Sequence, residues 1–266
     1  MRYKVLILDL DGTVYTDGKP IRNIIAQLNT YKAAGNRIFY LSNNTSVSVS
    51  HYLEKLNKLG LDVQIEEIIT PTIIAGRYLK SKYDRGYLVG TVSFVSEMEQ
   101  KYDIRNDAVE PEFVLLSFDR ELTYQKLMLA SRFLNQGLPF YITHIDLACP
   151  SEFGPIPDCG SISLLMETVT RRKPQEHFGK PSVQMVDYIR TLLRGVNPEE
   201  ILMGGDRLYT DILLGNKLGV KTLLVLSGES KLEDLRKNTE FEVTHCAYTL
   251  SEFLEGKEVN QLAHDL

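Results

Sequence analysis

The run Val5-Leu6-Ile7-Leu8-Asp9-Leu10-Asp11-Gly12-Thr13 is the most informative part of the chain. Its four leading apolar residues are typical of a buried strand in a parallel sheet. Asp9 and Asp11 follow at the carboxyl end of that strand, where open α/β sheets bind ligands. One carboxylate can attack an electrophile while the other transfers a proton, so the pair suits two-step displacement. An acidic turn is the alternative, because Asp and Gly are common turn residues.

Outward from this run, apolar strands alternate with amphipathic helices. The spacing of apolar residues predicts strands at 37–41, 86–92, 113–118, 139–142, 201–203 and 222–226, and helices at 21–34, 95–102, 124–134, 162–169, 183–193 and 212–218. Such alternation favours parallel βαβ units with helices on both faces of a sheet. We therefore predict an α/β protein.

Composition excludes several classes of function. The chain has 266 residues, 43% of them hydrophobic and 24% charged, which is ordinary for a globular protein. Its net charge is −5 and it has no long basic run, so we expect neither a nucleic-acid nor a membrane partner. Cys149, Cys159 and Cys246 are odd in number and widely spaced, which indicates free thiols. These features, with an N-terminal apolar run too short for a signal peptide, predict a cytoplasmic protein.

Two further segments offer groups that can bind phosphate. Ser42 and Asn43 follow a predicted strand, where a hydroxyl, an amide and free backbone N–H groups can hold phosphate oxygens. Lys180, in the turn Gly179-Lys180-Pro181, offers a positive charge to a phosphoryl group and to a nucleophilic carboxylate. Alone, each segment is a weak signal, since Ser and Asn are common in loops and most lysines are solvated.

A fourth segment, Met203-Gly204-Gly205-Asp206-Arg207-Leu208-Tyr209-Thr210-Asp211, follows a short apolar strand and precedes a helix. Its strand-end position would allow Asp206 to join Asp9 around a hard cation. Mg²⁺ favours one or two carboxylates together with waters and substrate phosphate oxygens, so we predict a Mg²⁺ site here. Asp211 also has a simpler interpretation as the N-cap of the following helix.

Taken in this order, the four segments resemble the haloacid dehalogenase (HAD) superfamily of phosphohydrolases. More narrowly, they resemble its NagD-type branch, the p-nitrophenylphosphatase-like enzymes of subfamily IIA, which carry a type C2 cap. The resemblance spans essentially the whole chain. It implies a Rossmann-like, doubly wound parallel-sheet core of residues 1–77 and 178–266, with an inserted α/β cap of residues 78–177.

The resemblance also implies a mechanism. Asp9 would attack phosphorus and form an aspartyl phosphate. Asp11 would protonate the leaving oxygen and then deprotonate the water that hydrolyses the intermediate. Mg²⁺ would be held by the Asp9 carboxylate, the Asp11 backbone carbonyl and Asp206, with Asp211 fixing a metal-bound water. The residues that would bind the phosphoryl oxygens are Ser42, Asn43 and Lys180.

The middle of the chain carries the candidate specificity residues. Thr143-His144-Ile145-Asp146 and the run from Gly154 to Ser161 resemble the substrate loop and the following cap segment of the NagD-type branch. We predict that His144 and Asp146 reach the leaving group; the alternative is a turn capped by Asp146 beside a solvated His144. Two residues depart from the pattern of the branch, Ser42 in place of Thr and Ile145 in place of Pro.

The sequence therefore predicts a Mg²⁺-dependent phosphomonoester hydrolase. Its partner would be a small phosphorylated metabolite, such as a sugar phosphate, a nucleoside monophosphate or an ester like p-nitrophenyl phosphate; a homo-oligomer is left open. A phosphotransferase or phosphomutase using the same aspartyl phosphate is one alternative. A phospho-aspartate regulatory module is another, although such modules are roughly half this length and need no large insert.

Overall fold

The computed structural model describes residues 3–16 and 18–259. The strands are β1 (Val5–Asp9), β2 (Tyr15–Thr16), β3 (Lys19–Pro20), β4 (Arg37–Leu41), β5 (Ile68–Ile69), β6 (Arg85–Val89), β7 (Arg105–Asn106), β8 (Val114–Leu116), β9 (Phe140–Ile142), β10 (Ala148–Cys149), β11 (Ile156–Pro157), β12 (Glu176–His177), β13 (Ile201–Gly205), β14 (Lys221–Val225) and β15 (His245–Ala247). The α-helices are α1 (Ile24–Ala33), α2 (Val49–Lys58), α3 (Pro71–Lys80), α4 (Val92–Tyr102), α5 (Tyr124–Asn135), α6 (Cys159–Thr170), α7 (Val183–Leu192), α8 (Leu213–Leu218), α9 (Leu232–Lys237) and α10 (Leu250–Leu254).

The chain divides into two compact units. The first comprises Met1–Ser42, Tyr52–Ile69 and Val186–Leu266, and the second comprises Asn43–His51 and Thr70–Met185. These units differ from the predicted core and insert at 43–51, 70–77 and 178–185. The boundaries at 77/78 and 177/178 therefore stay a prediction.

A parallel sheet forms the centre of the first unit. Its strand order is β15-β14-β13-β1-β4-β5. From β1 the chain moves outward to β4 and β5, and later returns through β13 to β14 and β15 on the other side. The order of the strands thus reverses between β1 and β13, and a crevice opens at such a switch point, at the carboxyl ends of the two strands. All five residues of β1 are buried, as expected of a central parallel strand.

The second unit has its own parallel sheet, with strand order β12-β9-β8-β6-β7. Helices α5 and α6 pack on this sheet and bury a continuous apolar core that includes Val114, Phe133, Phe140 and Met166. Local signals fix the helix ends: the side chains of Thr91, Thr123 and Asp158 accept backbone N–H bonds at the first turns of α4, α5 and α6. Two antiparallel pairs, β2–β3 and β10–β11, complete the strands.

The prediction of a parallel α/β protein is confirmed, as is the strand predicted at 37–41, which is β4. The helix predicted from residue 21 begins later, at Ile24, because its N-cap Asn23 adopts a left-handed conformation with φ of 67°. None of the three described cysteines, Cys149, Cys159 and Cys246, is in a disulfide bond, as predicted. Among the described residues, no helix has both the length and the apolar character needed to cross a membrane.

Candidate active site

Two of the predicted site residues lie at the switch point of the first sheet. Asp9 ends β1, and Asp206 follows β13, the strand that pairs with β1 in parallel. Both side chains are buried, with 7% and 4% of their surfaces exposed. The Thr13 hydroxyl donates a hydrogen bond to Asp9 Oδ2 at 3.4 Å. The fold therefore brings the proposed nucleophile and a second carboxylate to the same edge of the sheet.

Asp211 joins them from a π-helical turn, Leu208–Ile212, directly before α8. It is completely buried, and one carboxylate oxygen from each of Asp9, Asp206 and Asp211 lies within 4.8 Å of the others. We call these three residues the carboxylate triad. Three buried anions at this spacing repel one another, and a divalent cation would relieve that repulsion. Oxygen-only donors suit Mg²⁺ or Ca²⁺, so the triad fits the predicted metal.

Two glycines allow the chain to approach the triad closely. Gly12 has φ of +87°, and a Cβ there would lie 2.6 Å from Asp206 Oδ2. A Cβ at Gly205 would overlap the Asp211 side chain. The loop after β14 closes the other side, where the Glu229 backbone N–H donates to Asp206 Oδ2 at 2.7 Å and the Ser227 hydroxyl donates to the Gly12 carbonyl at 2.6 Å. Gly12 was part of the quoted motif, whereas Ser227 and Glu229 carried no signal in the sequence.

Asp11, the predicted acid and base, is exposed on the turn after β1. The Tyr15 hydroxyl donates a hydrogen bond to Asp11 Oδ2 at 3.3 Å, and the Tyr15 ring is completely buried. Burial raises the pKa of the Tyr15 phenol, and the nearby Asp11 charge raises this pKa further, so the phenol keeps its proton. Sequence reasoning missed Tyr15, whose only signal was its position four residues after Asp11.

Ser42 belongs to the first unit and follows β4. Its side chain is buried, and its hydroxyl lies 3.0 Å from the Tyr52 hydroxyl, a distance that indicates a hydrogen bond. The Ser42 backbone N–H donates to the Ile69 carbonyl at 3.1 Å, which ties the loop to β5. The phosphate-binding role of Ser42 stays a prediction.

Asn43 and Lys180 come together in the second unit. Both are buried, and the Lys180 backbone N–H donates to Asn43 Oδ1 at 2.7 Å. The Asn43 side-chain amide donates to Asp146 Oδ2 at 3.2 Å. A buried ammonium group is costly unless anions or polar groups surround it. The burial of Lys180 therefore indicates that its ammonium group interacts with such groups. Its proposed contact with a phosphoryl group stays a prediction.

The two candidate specificity residues lie in the interior of the second unit. His144 is completely buried and Asp146 is 6% exposed, so the alternative of a solvated His144 is wrong. His144 Nδ1 lies 3.6 Å from Asp146 Oδ2, and its Nε2 lies 3.4 Å from Asp158 Oδ1. Sequence reasoning missed Asp158, whose signal was an Asp directly before a helix. The specificity role of His144 and Asp146 stays a prediction.

Two segments of the chain match models of known protein families. Residues 6–104 match the family model described as haloacid dehalogenase-like hydrolase, and residues 177–253 match one described as HAD-hydrolase-like. The first match covers Asp9, Asp11 and Ser42, and the second covers Lys180, Asp206 and Asp211. An acid sugar phosphatase from Staphylococcus aureus is 29% identical to this chain over 261 residues, which are 97% of this chain and 99% of the relative.

Several solved protein structures have the same fold as this chain. A 4-nitrophenylphosphatase from Thermotoga maritima superposes with a TM-score of 0.88 at 35% identity, over 96% of this chain and 97% of that one. NagD from Escherichia coli K-12 has a TM-score of 0.83 at 26% identity, over 95% and 98% of the two chains. A glycerol phosphate phosphatase from Mycobacterium tuberculosis, solved in complex with magnesium, has a TM-score of 0.84 at 25% identity, over 94% and 76%.

The fold of these structures extends over nearly all of this chain, including the middle segment. A likeness of this extent, at 35% identity, confirms the prediction of a Rossmann-like core with an α/β cap. The relatives from S. aureus, T. maritima and M. tuberculosis are named as phosphatases. The chain therefore belongs to the haloacid dehalogenase superfamily and is a phosphatase of its NagD-type branch.

Proposed function

We propose that this phosphatase is a Mg²⁺-dependent phosphomonoester hydrolase that forms an aspartyl phosphate at Asp9. The observation that carries the proposal is the carboxylate triad, which places Asp9 beside two buried anions at the end of β1. Uncompensated, such a cluster would repel a phosphate dianion as well as itself. With a cation it becomes a site that favours phosphate.

The chemical steps belong to Asp9 and Asp11. An Asp9 carboxylate oxygen forms a bond to phosphorus as the bond from phosphorus to the leaving oxygen breaks, and Asp11 gives its proton to that oxygen. Asp11 then takes a proton from a water molecule whose oxygen attacks the phosphorus of the aspartyl phosphate. As the water oxygen bonds to phosphorus, the bond between phosphorus and the Asp9 oxygen breaks, which releases inorganic phosphate and restores the Asp9 carboxylate and the protonated Asp11.

Mg²⁺ would be held by the carboxylates of Asp9 and Asp206 and by the Asp11 backbone carbonyl, with Asp211 orienting a bound water. When bound, the ion neutralises charge on the carboxylates and on the phosphoryl oxygens. The fit rests on the donor chemistry of the triad, and the magnesium complex of the related M. tuberculosis enzyme supports it. We assign Ser42, Asn43 and Lys180 to the phosphoryl oxygens, on the resemblance of their segments to those of the family.

The substrate class that we propose is a small phosphomonoester, with a sugar phosphate as the first candidate. Three relatives support it by their names: the S. aureus protein is an acid sugar phosphatase, the T. maritima protein a 4-nitrophenylphosphatase and the M. tuberculosis protein a glycerol phosphate phosphatase. All three names describe a phosphate ester of a small alcohol or phenol. We therefore expect activity on sugar phosphates, glycerol phosphates and 4-nitrophenyl phosphate.

The Asp9→Asn variant tests the proposal. It should lose turnover by several orders of magnitude, because a covalent nucleophile is removed while the fold is retained. In the wild type, rapid acid quenching and mass spectrometry of peptides should find a phosphoryl group on Asp9 during turnover, and EDTA should abolish activity. Full activity in the chelator, or turnover above about one per cent in Asp9→Asn, would contradict the proposal.

A further inference from the structure

We propose that Tyr15 is a positioning residue for Asp11, holding the carboxyl group in the orientation that protonates the leaving oxygen. The inference rests on the proposed function, since it assumes that Asp11 is the acid of the reaction. The motif that carries Asp9 and Asp11 does not predict a role for this tyrosine. The evidence for it is the contact between the Tyr15 and Asp11 side chains in the folded protein.

The backbone first brings Tyr15 back to the loop that carries both aspartates. After β1 the chain reverses at Gly12, and Asp11 and Tyr15 then lie side by side as an isolated β-bridge. The Gly12 N–H donates to the Tyr15 carbonyl at 2.8 Å, and the Tyr15 N–H donates to the Leu10 carbonyl at 3.2 Å. Two backbone hydrogen bonds therefore fix the position of Tyr15 relative to Asp11.

Packing fixes the ring as well. Tyr15 is completely buried, and Lys55 Nζ lies 3.8 Å from its ring centroid, a cation–π distance. The neighbouring residue Val14 is also completely buried. A ring held in this way has little rotational freedom, so its hydroxyl occupies a defined place.

Unlike the buried Tyr15 ring, the Asp11 side chain is not fixed by packing. It is exposed on a turn, where a short carboxylate can adopt several rotamers unless hydrogen bonds fix it. The Tyr15 hydroxyl donates to Asp11 Oδ2 at 3.3 Å and so anchors an exposed group to a rigid, buried one. Orientation of a proton donor matters because general acid catalysis, which contributes about 10² to 10⁴-fold, depends on reach and alignment.

This role predicts a loss that grows with the basicity of the leaving group. A weakly basic leaving group such as 4-nitrophenolate departs with little protonation, whereas phenolate and alkoxides need the acid. A residue that only supports the fold would lower all rates by a similar factor. The dependence of kcat/KM on the leaving group therefore separates positioning from structural support.

The experiment compares Tyr15→Phe with wild type on aryl phosphates of similar shape, from 4-nitrophenyl to 4-methoxyphenyl phosphate. We expect the slope of log kcat/KM against leaving-group pKa to become more negative. The loss should be on the order of tenfold for the most basic phenol and within about threefold for 4-nitrophenol, a fraction of the full contribution of general acid catalysis. An equal loss for all esters would overturn the proposal.

Two controls isolate the contact. Tyr31→Phe also removes a buried phenol, which donates to the Tyr3 carbonyl at 3.0 Å, and it should leave the slope unchanged. In an Asp11→Asn background, Tyr15→Phe should not change the slope further, because its effect passes through Asp11. A further change in that background would also overturn the proposal.

Two more observations keep the test decisive. If Tyr15→Phe does not fold, 4-fluorophenylalanine introduced at position 15 keeps the ring and fills the place of the hydroxyl without donating a hydrogen bond; an unchanged slope with it would refute the role of Tyr15. The outcome also differs from failure of the proposed function. That failure would appear as turnover in Asp9→Asn or as full wild-type activity in EDTA, whereas failure of this inference leaves both of those results as proposed.

Discussion

Three carboxylates that meet in a protein interior need an explanation at the level of single residues. Asp9, Asp206 and Asp211 are 7%, 4% and 0% exposed and approach within 4.8 Å. Burying an anion costs several kcal/mol, and like charges at this distance add to that cost. Hydrogen bonds such as the one from the Glu229 N–H to Asp206 offset part of this cost, and a cation would offset it further. The arrangement is consistent with a site built for a cation rather than for stability.

The contribution of Lys180 to catalysis can be tested by substitution. Its proposed target is the phosphoryl group, which every substrate shares, so Lys180→Ala should lower kcat/KM by a similar factor for all leaving groups. The loss should be on the order of 10²-fold, as for removal of one donor to a developing charge. Steady-state kinetics on sugar phosphates, glycerol phosphates and aryl phosphates measure it.

The matched control for this prediction is Lys173→Ala, which removes an exposed lysine of the same unit and should change little. If the loss in Lys180→Ala followed the leaving group instead, the lysine would belong to a specificity pocket. The two variants Lys180→Ala and Tyr15→Phe are thus expected to give opposite patterns. Lys180→Ala should lower kcat/KM alike for all esters, whereas Tyr15→Phe should lower it mainly for esters with basic leaving groups.

Among the elements, the turn that carries Asp211 shows what a sequence pattern does not encode. Apolar spacing predicted a helix at 212–218, with Asp211 as its N-cap in the simpler of two interpretations. The helix is present as α8, but a π-helical turn at Leu208–Ile212 precedes it, in which the Ile212 N–H donates to the Arg207 carbonyl at 3.2 Å. The Asp211 carboxylate accepts from the Arg207 N–H at 3.1 Å. π-Helical turns are rare and often occur at functional sites.

Length explains which other elements the sequence could not predict. The strands β5 and β15 have two and three residues, too few to show a period, and they form only by pairing with β4 and β14. The strand β4, with five residues and polar neighbours at its end, was predicted with its observed bounds. The grouping of motif residues at strand ends was predictable for a different reason. Topology places the carboxyl ends of parallel strands together, whatever the length of each strand.

The position of the π-helical turn depends on the absence of a side chain at Gly205. A side chain there would overlap Asp211, so Gly205→Ala should displace the π-helical turn and destabilise the protein by about 1–3 kcal/mol. The variant should also need more Mg²⁺ for half-maximal activity, because Asp211 moves away from Asp9 and Asp206. Urea unfolding and Mg²⁺ titration of activity measure the two effects.

Gly204 provides the control for this prediction in the same strand. A Cβ at Gly204 would lie 3.1 Å from Leu8 Cδ2, the mobile end of a side chain, so Gly204→Ala should be tolerated better and should keep the Mg²⁺ requirement of the wild type. Equal Mg²⁺ requirements for Gly205→Ala and the wild type would show that Asp211 has no part in metal binding.

The whole molecule contains two buried clusters with the chemistry of metal ligands within the described range, one in each unit. The carboxylate triad lies in the first unit, and His144, Asp146 and Asp158 lie in the second. Sequence spacing pointed to the first cluster, because each of its members belongs to a recognisable segment. It did not reveal the second, whose members Asp146 and Asp158 come together only through the pairing of β10 with β11 and the start of α6.

Hydrogen exchange with and without Mg²⁺ distinguishes the two clusters. A ligand that binds only the native state raises the free energy of local opening where it binds. We expect Mg²⁺ to slow exchange in the first unit, at β1, β13, the π-helical turn and residues 227–230, because these elements hold or contact the triad. Asp206→Asn should abolish this protection, whereas Asp187→Asn, which alters an exposed acid of the same unit, should retain it. Protection confined to residues 143–160 would instead place the cation on His144, Asp146 and Asp158, and the proposed role of the triad would be wrong.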